Sequence, residues 1–428
     1  DQLTLMADVR QSPLVALMNT LSVQGRTGQT GEAIADSLVK SARQLFNRDN
    51  PPAIDQRSGA RGPLDATFGP VLALLDNRDG GTPTSRLSLQ TFLTRVTQVR
   101  LRLQQVTNAT DPQAMTRLLA QTVFQGKAVD LTETRDYGSL VAAGLGQEWS
   151  GFGQTLFVRP MEQAWQQVLT PAAESLNAQW RSAVVEDWNS AFGGRYPFKN
   201  TSSEVSLPLL AKYLNSETGR IARFLQTRLN GVLHKEGSRW MADSINAQGL
   251  TFNPAFLQAM NTLSHLSDVA FANGEAGLHF ALRPGTADGV MQTELVIDSQ
   301  KLVYMNQMPV WRRFSWPADT EAPGASLSWV STRAGTRQYG DFPGAWGWIR
   351  LLDKAVVSAY PGTSSSWSLS WKAPDGLLLN YTLRTEAGEG PLALLALRNF
   401  TLPETIFSVR ASAERVPLTD DIPGEEGY

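Results

Sequence analysis

The stretch Leu278-His-Phe-Ala-Leu-Arg-Pro284, followed by Met291-Gln-Thr-Glu-Leu-Val-Ile-Asp-Ser-Gln-Lys-Leu-Val-Tyr304, decides the fold. Apolar residues alternate with period two: Leu278, Phe280 and Leu282 face one way, and Met291, Thr293, Leu295 and Ile297 continue the pattern. That period is a strand's. Asp298-Ser299 reads as the hairpin turn between two strands, although it lacks the glycine of the best two-residue turns. Leu302 and Tyr304 then return. The alternation resumes at Leu327 and Trp329, at Trp367, Leu369 and Trp371, and from Leu377 to Leu383. Trp346, Ile349, Leu352 and Val356 have helical spacing instead, so one helix interrupts the strands. Leu392, Leu394, Ala396 and Arg398 suit a last strand or a helix. Six or more short strands separated by turns predict a small sandwich over 276–410.

Almost everything before residue 276 has the helical period. The expectation is an α+β chain: an elongated, mostly helical N-terminal body, then a small β-sandwich-like domain with one inserted helix. The body divides into 1–125 and 126–275. Ser12-Pro13 starts a helix, because serine caps and proline fits the first turn. Leu14, Leu17, Met18 and Leu21 share its face. Ile34, Leu38, Ala42, Leu45 and Phe46 form a second stripe, stopped by Asn50-Pro51-Pro52. Loops follow at 57–62 and 79–83. Leu89, Phe92, Leu93, Val96, Leu103 and Val106 mark the clearest helix, and Asp111-Pro112 caps the next. Residues 126–153 are rich in glycine and read as less regular. Trp165, Leu169, Ala172, Leu176, Trp180, Val184 and Trp188 then recur every three or four positions. Pro171 lies within that run and is expected to kink or divide it. The three tryptophans suit a packed seam better than a ligand platform, since aromatics dominate core burial. An amphipathic helix is expected to reach Gly237-Ser-Arg-Trp240. Residues 411–428 hold five acids, one arginine and few apolar groups, and read as a flexible tail.

Composition narrows the function. The 428 residues carry 38 basic and 40 acidic side chains, and 42% are hydrophobic. This is the makeup of a globular protein without the basic footprint of a nucleic-acid binder. There is no cysteine, which excludes disulfides, thiolate metal sites and cysteine nucleophiles. No run reaches the ~20 apolar residues of a membrane span, and the opening residues lack the pattern of a signal peptide. His234, His265 and His279 have no metal spacing. Neither Gly-x-Ser-x-Gly nor a phosphate-cradling glycine motif occurs. Glu386 and Glu389 read as solvated charges rather than a glycosidase pair. No catalytic role, metal or cofactor is expected.

Further patterns occur in a fixed order. Gly194-Arg-Tyr-Pro-Phe198 follows the tryptophan-striped helix, and Leu207-Pro-Leu-Leu-Ala-Lys-Tyr-Leu214 makes a short helix after it. Phe252-Asn-Pro-Ala-Phe-Leu257 begins another. Leu295 to Tyr304, Trp316-Pro317 and Gly344-Ala-Trp-Gly-Trp-Ile-Arg-Leu-Leu352 come next. This series resembles the C-terminal periplasmic region of the IcmF/TssM family, part of the membrane core of type VI secretion systems. It covers about 190–400 well. Ser299 stands where the family usually has glycine, and Ala345 where it has proline.

The resemblance implies a structural role without catalysis. It implies a membrane anchor upstream, a periplasmic location in a Gram-negative envelope, and an inner-membrane (TssL-like) partner. It also implies self-association into a ring-like trans-envelope assembly and docking on an outer-membrane (TssJ-like) lipoprotein through the β domain. Interface anchors are often Trp, Tyr or Arg. The candidate contact residues are therefore Trp311, Arg312, Arg313, Tyr339, Phe342 and Trp346, in the aromatic-rich loops 310–317 and 339–348. Two alternatives remain at this stage: a cell-wall hydrolase, and a carbohydrate-binding sandwich that uses Trp367 and Trp371.

Overall fold

A computed structural model describes residues 2–8, 12–25, 65–75, 87–244, 247 and 249–408. The second apolar stripe, the stop at Asn50, the loops 57–62 and 79–83 and the acidic tail lie outside the described residues. The architecture is α+β: a helical body followed by a β domain.

The body is built along one continuous helical stretch, 150–192, roughly 60 Å long at 1.5 Å per residue. Pro171 does not divide it, because the helix Arg159–Trp180 runs through. The carbonyl that loses its donor belongs to Gln167, on the exposed face where water replaces the bond. The irregularities fall elsewhere, as wide π turns at Gln154–Val158 and Arg181–Val185. The second has a packing reason. Eight residues at about 100° each would carry Trp188 about 80° away from Trp180, and the extra residue of a π turn offsets this by about 100°, leaving the two only about 20° apart. Trp165, Trp180 and Trp188 are accordingly all buried, as expected of a core seam. Phe224 and Phe256 meet the Trp180 ring edge-on at 5.2 and 5.3 Å.

The glycine-rich stretch corrects the expectation of irregularity, since Asp130–Gly144 is a helix. Gly138 and Gly153 in this stretch serve close approach. A Cβ on Gly138 would lie 2.3 Å from the Phe157 carbonyl oxygen. The helices Leu89–Thr107 and Pro112–Phe124 begin at the Ser88 and Asp111 caps and pack on this frame. In the first described helix after Ser12, Leu14 and Met18 are buried while Leu17 is exposed. A second correction concerns 229–242. The helix Arg220–Arg228 stops at Leu229, and a hairpin of β1 (Leu233–Glu236) and β2 (Arg239–Ala242) turns at Gly237. The helix Pro254–Ala270 follows, capped by Asn253.

The β domain has two antiparallel sheets. The first orders β6 (Arg312–Trp316), β3 (Leu278–Pro284), β11 (Leu378–Thr385), β10 (Ser366–Lys372) and β9 (Val356–Ala359). The second orders β5 (Gln300–Tyr304), β4 (Val290–Ile297), β7 (Gly324–Ser331) and β8 (Gly335–Pro343). The alternation predicts the buried faces, with one local exception. A bulge between Val290 and Gln292 turns Val290 inward and leaves Met291 half exposed. The turn Asp298-Ser299 takes φ of 45° and 65° without glycine. The buried Asp298 carboxyl makes this possible by accepting hydrogen bonds from the Ala318 and Gly324 amides. Burial pushes that carboxyl above its ordinary pKa, against the opposing pull of the two amides.

The inserted helix is Gly347–Asp353, and its Trp348 stacks parallel to Phe280 at 5.8 Å. Val356 does not continue that helix. It opens edge strand β9 and is exposed. Gly390–Leu397 is a 3₁₀ helix, so the segment 392–398 takes the helical of its two readings.

Candidate docking interface

The β domain meets the body through its inserted helix, through residues 402–408 and through the segment around Glu389. The first contact is made by the inserted helix. Arg350 donates to Glu204 at 3.1 Å and to the Thr201 carbonyl at 2.7 Å, with its guanidinium 3.9 Å from the Tyr196 ring centre. The Trp346 indole N–H donates to the Val205 carbonyl at 2.8 Å. Backbone bonds between Tyr196 and Val205 hold the receiving loop in shape. Gly344, at φ 104°, leaves room for Glu204, since a Cβ there would stand 2.5 Å from its carboxylate oxygen. Burial raises the pKa of Tyr196, and nearby Asp353 adds to the rise.

The second contact is the chain after the 3₁₀ helix. Residues 402–408 leave the sheets and cross the body. Asn177, buried in the long helix, accepts from the Ile406 and Phe407 amides at 2.8 and 3.0 Å. It also donates to the Phe407 carbonyl at 3.0 Å. The Trp180 indole donates to the Pro403 carbonyl, and Phe407 packs between Phe124 and Phe252. A third, exposed link joins His265 on the helix Pro254–Ala270 to Glu389 at 2.7 Å.

The six residues expected to make contact separate into three groups. Trp346 is fully buried and belongs to the first joint, which corrects its expected place on a surface. Tyr339 and Phe342 are half-buried on edge strand β8. Arg312 and Arg313 are exposed on edge strand β6, and half-buried Trp311 precedes them. The Trp311 ring carries two guanidiniums, Arg283 at 4.9 Å and Arg384 at 4.3 Å. Sequence reasoning missed Arg283, Arg384, Glu204 and Asn177. For the two arginines a signal existed, since Trp311, Arg283 and Arg384 all occupy outward positions of adjacent strands. For Asn177 none did, because its partners lie about 230 residues downstream.

Trp371 is fully buried and donates to the Leu351 carbonyl at 2.8 Å, which removes it from any carbohydrate platform with Trp367. Among the described residues, no cluster of His, Asp and Glu side chains converges as a metal site, and no helix is long and apolar enough to cross a membrane.

Two family models match the chain. Residues 171–276 match the type VI secretion protein IcmF helical domain, and residues 280–387 match its C2-like domain. The type VI secretion system component TssM1 of Pseudomonas aeruginosa is 26% identical over 235 residues. That alignment takes in 54% of this chain, which spans about a fifth (21%) of the relative's length. A chain of a solved type VI membrane complex is 70% identical with a TM-score of 0.78, over 95% of this chain and 78% of that one. The TssM C-terminal domain from EAEC is 74% identical with a TM-score of 0.55, over 56% of this chain and all of that one. The chain belongs to the IcmF/TssM family of type VI secretion proteins.

Proposed function

We propose that this chain is the periplasmic part of a TssM subunit in a type VI secretion membrane complex, with a mechanical role. The helical body spans distance, and the β domain docks on an outer-membrane, TssJ-like lipoprotein. Upstream parts of the protein anchor it in the inner membrane beside a TssL-like partner, and contacts between bodies close a ring-like oligomer. The observation that carries this reading is 70% identity to chains of solved type VI membrane complexes across 95–96% of this chain. Within it we assign 1–125 and 126–275 to the spanning body, 276–410 to the docking head and 411–428 to an acidic tail.

The joint supports a docking head. Its polar anchors, Arg350, Glu204 and Asn177, all join the β domain to the body, and none of them lies on edge strand β6 or β8. Trp311, Arg312 and Arg313 on one edge, and Tyr339 and Phe342 on the other, are the proposed contact residues. Mixing the full chain with the soluble part of the lipoprotein tests this by sedimentation velocity. A single heavier species is expected, and it is lost when Trp311 and Arg313 or Tyr339 and Phe342 are replaced by serine. Two independent species would sink the reading.

A further inference from the structure

The five-stranded sheet has an asymmetry that lipoprotein docking does not require. Its strands β6, β3, β11, β10 and β9 contain His279, Arg283, Arg312, Arg313, Lys372 and Arg384, and no aspartate or glutamate. The registers concentrate this charge on the outer face. Arg313 opposes Ala281, and Ala281 opposes Arg384, so both arginines stand in one row across the sheet. Arg283 lies in the next row, opposite Thr382. The inner face of the same strands carries buried Phe280, Leu282 and Phe314.

Arg283 and Arg384 both lie over the one Trp311 ring, at 4.9 and 4.3 Å from its centre, so one indole serves two cations. Among the described residues no carboxylate forms an ion pair with Arg283, Arg313 or Arg384. The loop that leads into Trp311 holds no charged residue and projects its apolar side chains. Met305 is 60% exposed, Met308 86% and Val310 64%. A cationic base around a tryptophan, with an apolar tip beside it, matches a bilayer surface. Lipid phosphates meet the guanidiniums, the indole sits at the headgroup level, and the tip enters the acyl boundary.

We infer that this edge of the β domain seats on an anionic phospholipid surface through Arg283, Arg313 and Arg384, with Met308 and Val310 inserted. The inference does not rest on lipoprotein docking; with this edge on lipid, the lipoprotein contact falls to Tyr339 and Phe342 on the other edge. An acidic protein would satisfy the arginines but leave the uncharged tip in water.

The test is co-sedimentation of the full chain, without lipoprotein, with vesicles of phosphatidylcholine alone or mixed with phosphatidylglycerol. Binding is expected to the mixed vesicles only, and to weaken as salt screens the charges. The double change R283E/R384E lowers the partition about tenfold or more. Met308→Asp, in an exposed loop where the fold is not at stake, lowers it about fivefold. Equal binding to both vesicle types, or binding unchanged in both variants, overturns the inference. Displacement from vesicles by millimolar inorganic phosphate at constant ionic strength would reassign the arginines to a free-phosphate site and overturn it as well.

Discussion

Arg350 and Arg384 both lie over an aromatic ring, at 3.9 Å from the centre of Tyr196 and 4.3 Å from that of Trp311. Their surroundings differ. Arg350 is 15% exposed, and its partner Glu204 is 18% exposed. Its guanidinium bonds, to Glu204 and to the Thr201 carbonyl, join the β domain to the body. Arg384 stands on an open sheet face beside a second arginine that uses the same ring. The same pair of chemical groups therefore does two jobs, and burial together with a carboxylate partner decides which. A cation held by a buried carboxylate is structural. A cation that stacks in the open without one is free for an external anion.

The largest effect is expected at the buried joint. Arg350→Ala leaves Glu204 poorly solvated and unpaired, so it should cost about 3 kcal/mol in chemical unfolding. A loss under about 1 kcal/mol would mean the ion pair does not hold the joint. Asn177→Ala removes three hydrogen bonds to 406–407 and should cost about 2 kcal/mol. Asn177→Asp keeps the two accepted bonds but buries an unpaired charge against the Phe407 carbonyl, so it should lose at least as much. A loss under about 1 kcal/mol in both variants would mean that these bonds do not hold the crossing segment. Arg384→Ala, on the open face, should cost only about 0.5 kcal/mol, the worth of an exposed cation–π contact. A cost as large as that of Arg350→Ala would erase the distinction.

The smallest effect is the pH dependence of the His265–Glu389 link. Burial alone would raise the Glu389 pKa, but the His265 hydrogen bond and charge outweigh it, and the net shift is below the ordinary 4.5. A carboxylate with a lowered folded pKa contributes stability above its unfolded value and loses it as pH falls through the folded one. Both side chains are about half exposed, so solvent screening holds the term to a few tenths of a kcal/mol. The stability gap between the native chain and Glu389→Gln should therefore be small at pH 6 and close as pH falls below the ordinary carboxylate range, as read from thermal midpoints. A gap that widens with acidity would contradict the direction of the shift.

The strands of the β domain were legible in the sequence because alternation is local. Leu295 and Ile297 declare their face with no knowledge of β7. The helical body was legible for the same reason, down to its cap at Asp111. What escaped were features set by distant partners. Pro171 reads as a breaker until Gln167 is seen to face water. The glycines near 138 read as loop until the Phe157 backbone is found against them. Trp346 reads as an anchor for a partner until the Val205 carbonyl is seen to occupy it. The family's ordered motifs identified the region, yet they were silent on which aromatics face inward.

Hydrogen–deuterium exchange of the full chain, with and without the lipoprotein, tests the docking head most directly. The account predicts new protection within 305–317 or 335–343, at the free edges of the two sheets, with 87–192 unchanged. Protection confined to the helical body, with both edges exchanging as in the free chain, would contradict it.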